Sequence, residues 1–129
     1  MKLSSRARGQ IAQLKIELEA NSKGYIISRP SVDCYYDILI DTVKSLVRAQ
    51  IKFCNRKTSG NKQNLELRLD NHGTKRIFYT KTMVDWILVF LPLKNVILKF
   101  EKNKFHRRKT ITINLTREKS PNFYKKYIW

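Results

Sequence analysis

The sequence predicts an α+β (or α/β) domain built on a mixed central β-sheet. A single segment of helical period opens the chain, and short β-branched, aromatic or alternating segments fill most of the rest. A chain of 129 residues can bury one core but seldom two, so one domain over residues 1–129 is expected.

Each element has its own signal. From Arg6 to Ser22 apolar residues recur at Ala7, Ile11, Leu14 and Leu18, a helical spacing that predicts one core-facing stripe, with Gln10, Gln13 and Glu17 on a neighbouring polar face. Asn21-Ser22-Lys23-Gly24 is a helix stop, and Tyr25-Ile26-Ile27-Ser28 has strand composition until Arg29-Pro30-Ser31 interrupts it. Asp37–Asp41 and Leu46–Phe53 read as two strands joined by Thr42-Val43-Lys44-Ser45, which predicts an antiparallel hairpin. After a polar stretch from Lys57 to Asn64, Leu65–Leu69 alternates strictly. Asn71-His72-Gly73 then predicts a turn, with Lys75–Tyr79 returning as the partner strand. Val84–Leu91 is almost continuously apolar and predicts a strand buried on both faces; Val96–Phe100 and Thr110–Leu115 complete the set.

Charge narrows the partner. Against 27 Lys and Arg stand 10 Asp and Glu, a net charge of +17 that repels itself unless a polyanion neutralises it. Double-stranded nucleic acid is the expected partner. No apolar run approaches the roughly 20 residues of a membrane span, and no Lys- and Trp-rich amphipathic helix suggests a membrane surface. The opening residues carry no apolar stretch of signal-peptide length, so a cytoplasmic or nucleoid-associated protein is expected. Cys34 and Cys54 lack zinc spacing and read as reduced, partly buried thiols, while His72 and His106 read as polar residues of a turn and a basic loop.

The chemistry concentrates between Pro30 and Lys52. Side chains alternate along a strand, so Gln50 and Lys52 share one face while Ile51 enters the core, and the hairpin brings that polar face alongside Asp37. Hydrolysis of a phosphodiester uses such a set: a carboxylate for a hard cation, another oxygen ligand beside it, and a lysine for the attacking water or the transition-state charge. Spacing alone also allows a plainer reading, in which Asp37 is a turn residue and Gln50-Ile51-Lys52 merely a wet strand face.

Gly24-Tyr25-Ile26-Ile27-Ser28-Arg29-Pro30, Asp33–Asp41 and Val47-Arg48-Ala49-Gln50-Ile51-Lys52, taken together with a helix entered by Gly9, resemble the PD-(D/E)XK homing endonucleases of group I introns, of the kind carried by cyanobacterial transfer-RNA introns. The resemblance runs from Arg6 to Phe53 and continues weakly through Tyr79 and Val84-Asp85-Trp86. It implies a restriction-endonuclease-like core with flanking helices and a basic hairpin insertion over about 56–81. It also implies that Asp37 binds Mg²⁺ (with Mn²⁺ as a substitute), that the Ile51 carbonyl is a second ligand, and that Lys52 is the catalytic lysine. Two positions depart from the family pattern, because its second acid is Gln50 here and its helix acid is Gln13. A site with one firm carboxylate leaves the scissile phosphate to supply missing negative oxygens. Asp33, Asp41 and Glu17 are alternative acids, but the family register selects Asp37.

For DNA contact, the expected ribbon over Leu65–Tyr79 fits a major groove, with Lys62, Gln63, Asn64, Arg68, Lys75 and Arg76 as candidates. In that ribbon Glu66, Arg68 and Asp70 are expected opposite the apolar face. Lys104 and Arg107, in the basic run Lys102–Lys109 of a C-terminal extension over about 102–129, are candidates for phosphate. The four aromatics between Phe123 and Trp129 suggest packing or self-association. One small catalytic unit cuts one strand, so a double-strand break calls for a homodimer at least, and the resemblance implies a dimer of dimers, a homotetramer. Two rival readings are a non-catalytic basic nucleic-acid-binding protein and a nuclease resembling the Holliday-junction resolvases; the first leaves Asp37 and Lys52 without a role.

Overall fold

The computed structural model describes residues 2–70 and 78–129. Helix α1 (Ser5–Ser22) leads, followed by strands β1 (Ile26–Ser28), β2 (Ile38–Asp41), β3 (Leu46–Phe53), β4 (Asn64–Arg68), β5 (Trp86–Leu91) and β6 (Val96–Glu101). A single-turn helix α2 (Lys102–Phe105), strand β7 (Thr110–Asn114) and a 3₁₀ turn at Tyr124–Tyr127 complete the chain. The central sheet runs β1-β2-β3-β5-β6, and only its β3–β5 pairing is parallel, so the expected mixed sheet is observed. The predicted β2–β3 hairpin is also present, with Ile38 opposite Ala49 and Asp41 opposite Leu46.

Ser4 starts α1 by accepting the Ala7 amide at 3.1 Å, which satisfies one of the otherwise orphaned N–H groups of the first turn. The helix lies on one face of the sheet through Ala12 and Ile16, which pack with Ile38, Ile40, Val47, Ala49, Ile51, Leu88 and Phe90. This corrects the expected stripe: Leu14 and Leu18 are 53% and 67% exposed, and Ala7 and Ile11 are only partly buried. The buried row is instead Ala12-Ile16-Ala20, whose two alanines allow a close approach to the sheet, so small residues mark the contact and the larger leucines do not.

The opposite face of the sheet is covered by a two-stranded antiparallel sheet of β4 and β7, not by a second helix. Leu65, Leu67 and Leu69 meet Ile87, Val89, Leu91, Leu98 and Phe100 there, joined by Ile111, Ile113 and Leu115. β5 therefore contributes to both cores, as its continuous apolar run predicts. The partner of β4 differs from expectation. Leu65 pairs with Ile113 and Arg68 with Thr110, a long-range ladder that alternation in β4 could not identify. The other edge of β4 meets the segment before it, where the Glu66 amide donates to the Arg56 carbonyl at 2.9 Å. The expected turn at Asn71–Gly73 and the candidates Lys75 and Arg76 lie outside the described residues.

Asp70 also departs from its expected outward position, being 3% exposed with Arg68 donating to its carboxylate. Of the two free cysteines, Cys54 is buried and Cys34 exposed, so partial burial of both is not observed. Burial pushes the Cys54 thiol up to about 11, which keeps it an unreactive core residue.

Two fastenings hold the site's strands in place. Asp85 accepts the Arg48 amide at 2.9 Å and the Arg48 guanidinium at 3.1 Å, and its own amide donates to the Arg48 carbonyl. Lys102 adds a second cation at 3.0 Å. At the C-terminus the Trp129 amide donates to Ile97 at 2.9 Å, and its ring sits 6.4 Å from Tyr25 and 6.2 Å from Trp86. Phe123 and Tyr124 are buried, so the terminal aromatics pack on the core as expected.

Candidate active site

Asp37 stands immediately before β2, where its amide donates to the Ala49 carbonyl at 2.9 Å and brings its side chain across to β3. There the carboxylate accepts the Ile51 amide at 2.8 Å. The Gln50 amide lies 3.5 Å from the Ile51 carbonyl, so Asp37 and Gln50 both reach the Ile51 backbone, one at its N–H and the other at its C=O. Nitrogen and oxygen of a side-chain amide exchange places by rotation, and a half-turn presents the Gln50 oxygen at the same spot. Val47, Ala49 and Ile51 face α1, and alternation places Arg48, Gln50 and Lys52 on the other face of β3.

Lys52 is partly buried, and its ammonium is 5.1 Å from the centre of the Tyr79 ring. Burial lowers its pKa, opposed by the negative charges of Asp37 and Asp70. Burial likewise raises the pKa of Asp37, opposed by the Ile51 amide and by Lys52. Each charge is thus desolvated and each supports the other, an arrangement common at catalytic sites. Tyr79, pushed up to about 12 first by burial and then by Asp37, stays a neutral phenol.

A hard divalent cation suits the donors present. Asp37 offers a carboxylate, and Gln50 and Ile51 offer neutral oxygens of the kind such ions take. Among the described residues no group of three or more His, Cys, Asp or Glu could hold a metal by itself. Gln13 is turned elsewhere: its amide donates to Glu17 at 3.4 Å, and Glu17 is gripped by Arg29 at 2.8 Å.

Two concavities flank the site. One, of about 550 Å³, is lined by Arg29–Cys34, Tyr36 and Asp37. The other, of about 460 Å³, runs between the start of α1 and β4, with Lys52 in its wall and Arg8, Arg56 and Arg68 around it. Arg8 escapes the sequence reading, and Arg56 and Tyr79 enter it only as the start of the 56–81 insertion and the end of an expected strand; tertiary packing alone brings the three to Lys52. Of the DNA-contact candidates, Lys62, Gln63 and Arg107 are exposed. Asn64 is engaged by Asn114 at 2.7 Å, and Lys104 donates to Asn122 at 3.0 Å, so both are partly committed within the fold.

A family model for PD-(D/E)XK endonucleases matches residues 3–127. The solved structure of a bacterial homing endonuclease, I-Ssp6803I, superimposes with a TM-score of 0.82 at 19% identity, covering 98% of this chain and 89% of that one. No curated protein matches. With the match spanning nearly the whole chain and the acid, the Gln50-Ile51-Lys52 strand and a cation-compatible oxygen set in one place, this chain belongs to the PD-(D/E)XK endonuclease family of metal-dependent DNA endonucleases.

Proposed function

We propose that the chain is a sequence-specific, Mg²⁺-dependent homing endonuclease that makes a double-strand break as a homo-oligomer. The observation that carries this reading is the meeting of Asp37 and Gln50 at the Ile51 backbone beside Lys52. Likeness in fold to a bacterial homing endonuclease supports the homing role, and the net charge of +17 suits a long DNA site.

Asp37, Gln50 and Ile51 would hold the ion, and Mn²⁺ would substitute for it. When bound, Mg²⁺ supplies Lewis-acid neutralisation of the phosphate and eases ionisation of a water. Asp37 has one carboxylate oxygen tied to Ile51, so its orientation is set before substrate arrives. Lys52, desolvated and with its ammonium 5.1 Å from the Tyr79 ring, stabilises negative charge developing on the phosphate or orients the attacking water. Arg8, Arg56 and Arg68 grip neighbouring phosphates or bases along the cleft. Gln13 serves as an outer support through Glu17 and Arg29.

One site cuts one strand, so at least a symmetric pair acts, and a dimer of dimers lengthens the footprint. We place the whole of 1–129 in one nuclease domain working where DNA is, in a bacterial cytoplasm or an organelle's nucleoid. The test is incubation with a plasmid library of randomised inserts in Mg²⁺, Mn²⁺ or EDTA. Linear product from a defined insert with either metal, and none in EDTA, is expected. Site-independent nicking would sink sequence recognition, and cutting confined to cruciforms would point to a junction resolvase.

A further inference from the structure

The segment before β5 holds a residue that none of the nuclease motif positions includes. Tyr79 packs against the core beneath β4, β5 and β7, and its ring faces the Lys52 ammonium at 5.1 Å, well inside the range of cation–π attraction. Its backbone is clamped from behind. The Arg107 amide donates to the Tyr79 carbonyl at 2.9 Å, and the Lys81 amide donates to His106 Nδ1 at 3.1 Å. Arg107 takes a left-handed backbone, φ 55°, in the turn that makes the first of these bonds. The clamp belongs to the loop after α2, in which Arg107, Arg108 and Lys109 are exposed.

Lysine has four rotatable side-chain bonds and a point charge, so geometry at its ammonium needs an external support. Asp37 and Asp70 attract Lys52, and the face of a fixed ring gives its ammonium a defined place to rest. We propose that Tyr79 is a positioning residue that seats Lys52 for strand cleavage, held in turn by the basic His106–Lys109 loop. The aromatic face matters and the hydroxyl does not. Engagement of that loop by a phosphate backbone would therefore steady the lysine seat at the same time as it holds DNA.

This inference rests on the reading of Lys52 as a cleavage residue, and the test separates the two. Tyr79→Leu should lower kcat by as much as about 10²-fold with KM little changed, the scale expected when a reacting group is misplaced by about an ångström. Tyr79→Phe, which keeps the ring, should stay within about threefold of wild type. A measurement on the unaltered protein stands beside these. Lys52 ε-methylene protons, identified by their loss in Lys52→Ala, should resonate upfield from the ring current, and should stay there in Tyr79→Phe. A random-coil position in wild type, or equal impairment of the Phe and Leu variants, overturns the proposal. If Lys52→Ala is inactive while folded Tyr79→Leu is fully active, the Tyr79 role alone fails. If Lys52→Ala cuts normally, both readings fall.

Discussion

The Ile51 amide donates to the Asp37 carboxylate at 2.8 Å, tying the acid to the strand that carries Lys52. The bond crosses the β2–β3 hairpin and makes the relative position of acid and lysine a property of backbone pairing. Loose side chains would have to find that geometry anew on each encounter; here it is built before DNA arrives.

Asp37→Asn should therefore abolish metal-dependent cleavage while leaving DNA affinity within about tenfold, because phosphate contacts dominate binding. Cleavage in Mg²⁺ and gel-shift affinity in EDTA measure the two effects independently. Normal turnover by this variant would remove Asp37 from the metal site.

Replacing Lys52 by methionine should cost about 10²- to 10⁴-fold in rate. Burial disfavours the Lys52 ammonium despite Asp37 and Asp70, so the folded pKa lies below the unfolded one and the charged form is a net strain at neutral pH. The variant should accordingly melt at or above the wild-type temperature. A lower melting temperature with collapse of the circular dichroism spectrum would show that Lys52 is structural.

Gln50 adjoins the Ile51 carbonyl, whereas Gln13 is engaged with Glu17. Gln50→Glu should shift the metal titration of cleavage to lower concentration. Gln13→Glu should shift it little, since the new carboxylate would lie one helical turn from Glu17. Equal shifts at both positions would mean that the helix supplies a metal ligand after all.

Asp85 receives four hydrogen bonds from Arg48 and Lys102, and although burial by itself would raise its pKa, the Arg48 and Lys102 bonds hold it far below the usual range. A depressed folded pKa contributes stability above the unfolded value of about 3.9, and that contribution is lost as pH falls toward the native value. Asp85→Asn should lose about 1–3 kcal/mol at neutral pH, the usual cost of leaving a charged hydrogen-bond partner unsatisfied. Urea denaturation should show the gap to wild type narrowing below about pH 4; a constant gap would contradict this role.

Recognition and grip should separate by mutation. Arg68→Ala should lose about 1–3 kcal/mol at particular base pairs, whereas Arg107→Ala should weaken all sequences alike and reduce the salt slope by about one. Affinities for the target and its single-base variants, taken across salt concentrations, decide between them. Uniform losses from Arg68→Ala would assign that residue to the phosphate backbone.

Local periodicity determined much of this protein from sequence alone. The leading helix, the 37–53 hairpin, the doubly buried β5 and the shared face of Gln50 and Lys52 all follow from repeats of 3.6 or 2 residues, and backbone geometry enforces those wherever the chain is regular. Extended resemblance over Arg6–Phe53 then singled out Asp37 among four nearby acids, which periodicity could not do. Tertiary structure decided the rest. Leu65 pairs with Ile113, 48 positions away, because β4 and β7 share a need to cover the sheet face left bare by α1. Ala12 and Ala20 pack while Leu14 and Leu18 stay out, because closeness of approach, not residue hydrophobicity, sets which helix face meets a sheet. Asp70, Tyr79 and the cleft arginines reach Lys52 for the same reason: contacts between distant segments follow from how layers stack, and short-range pattern carries no record of that.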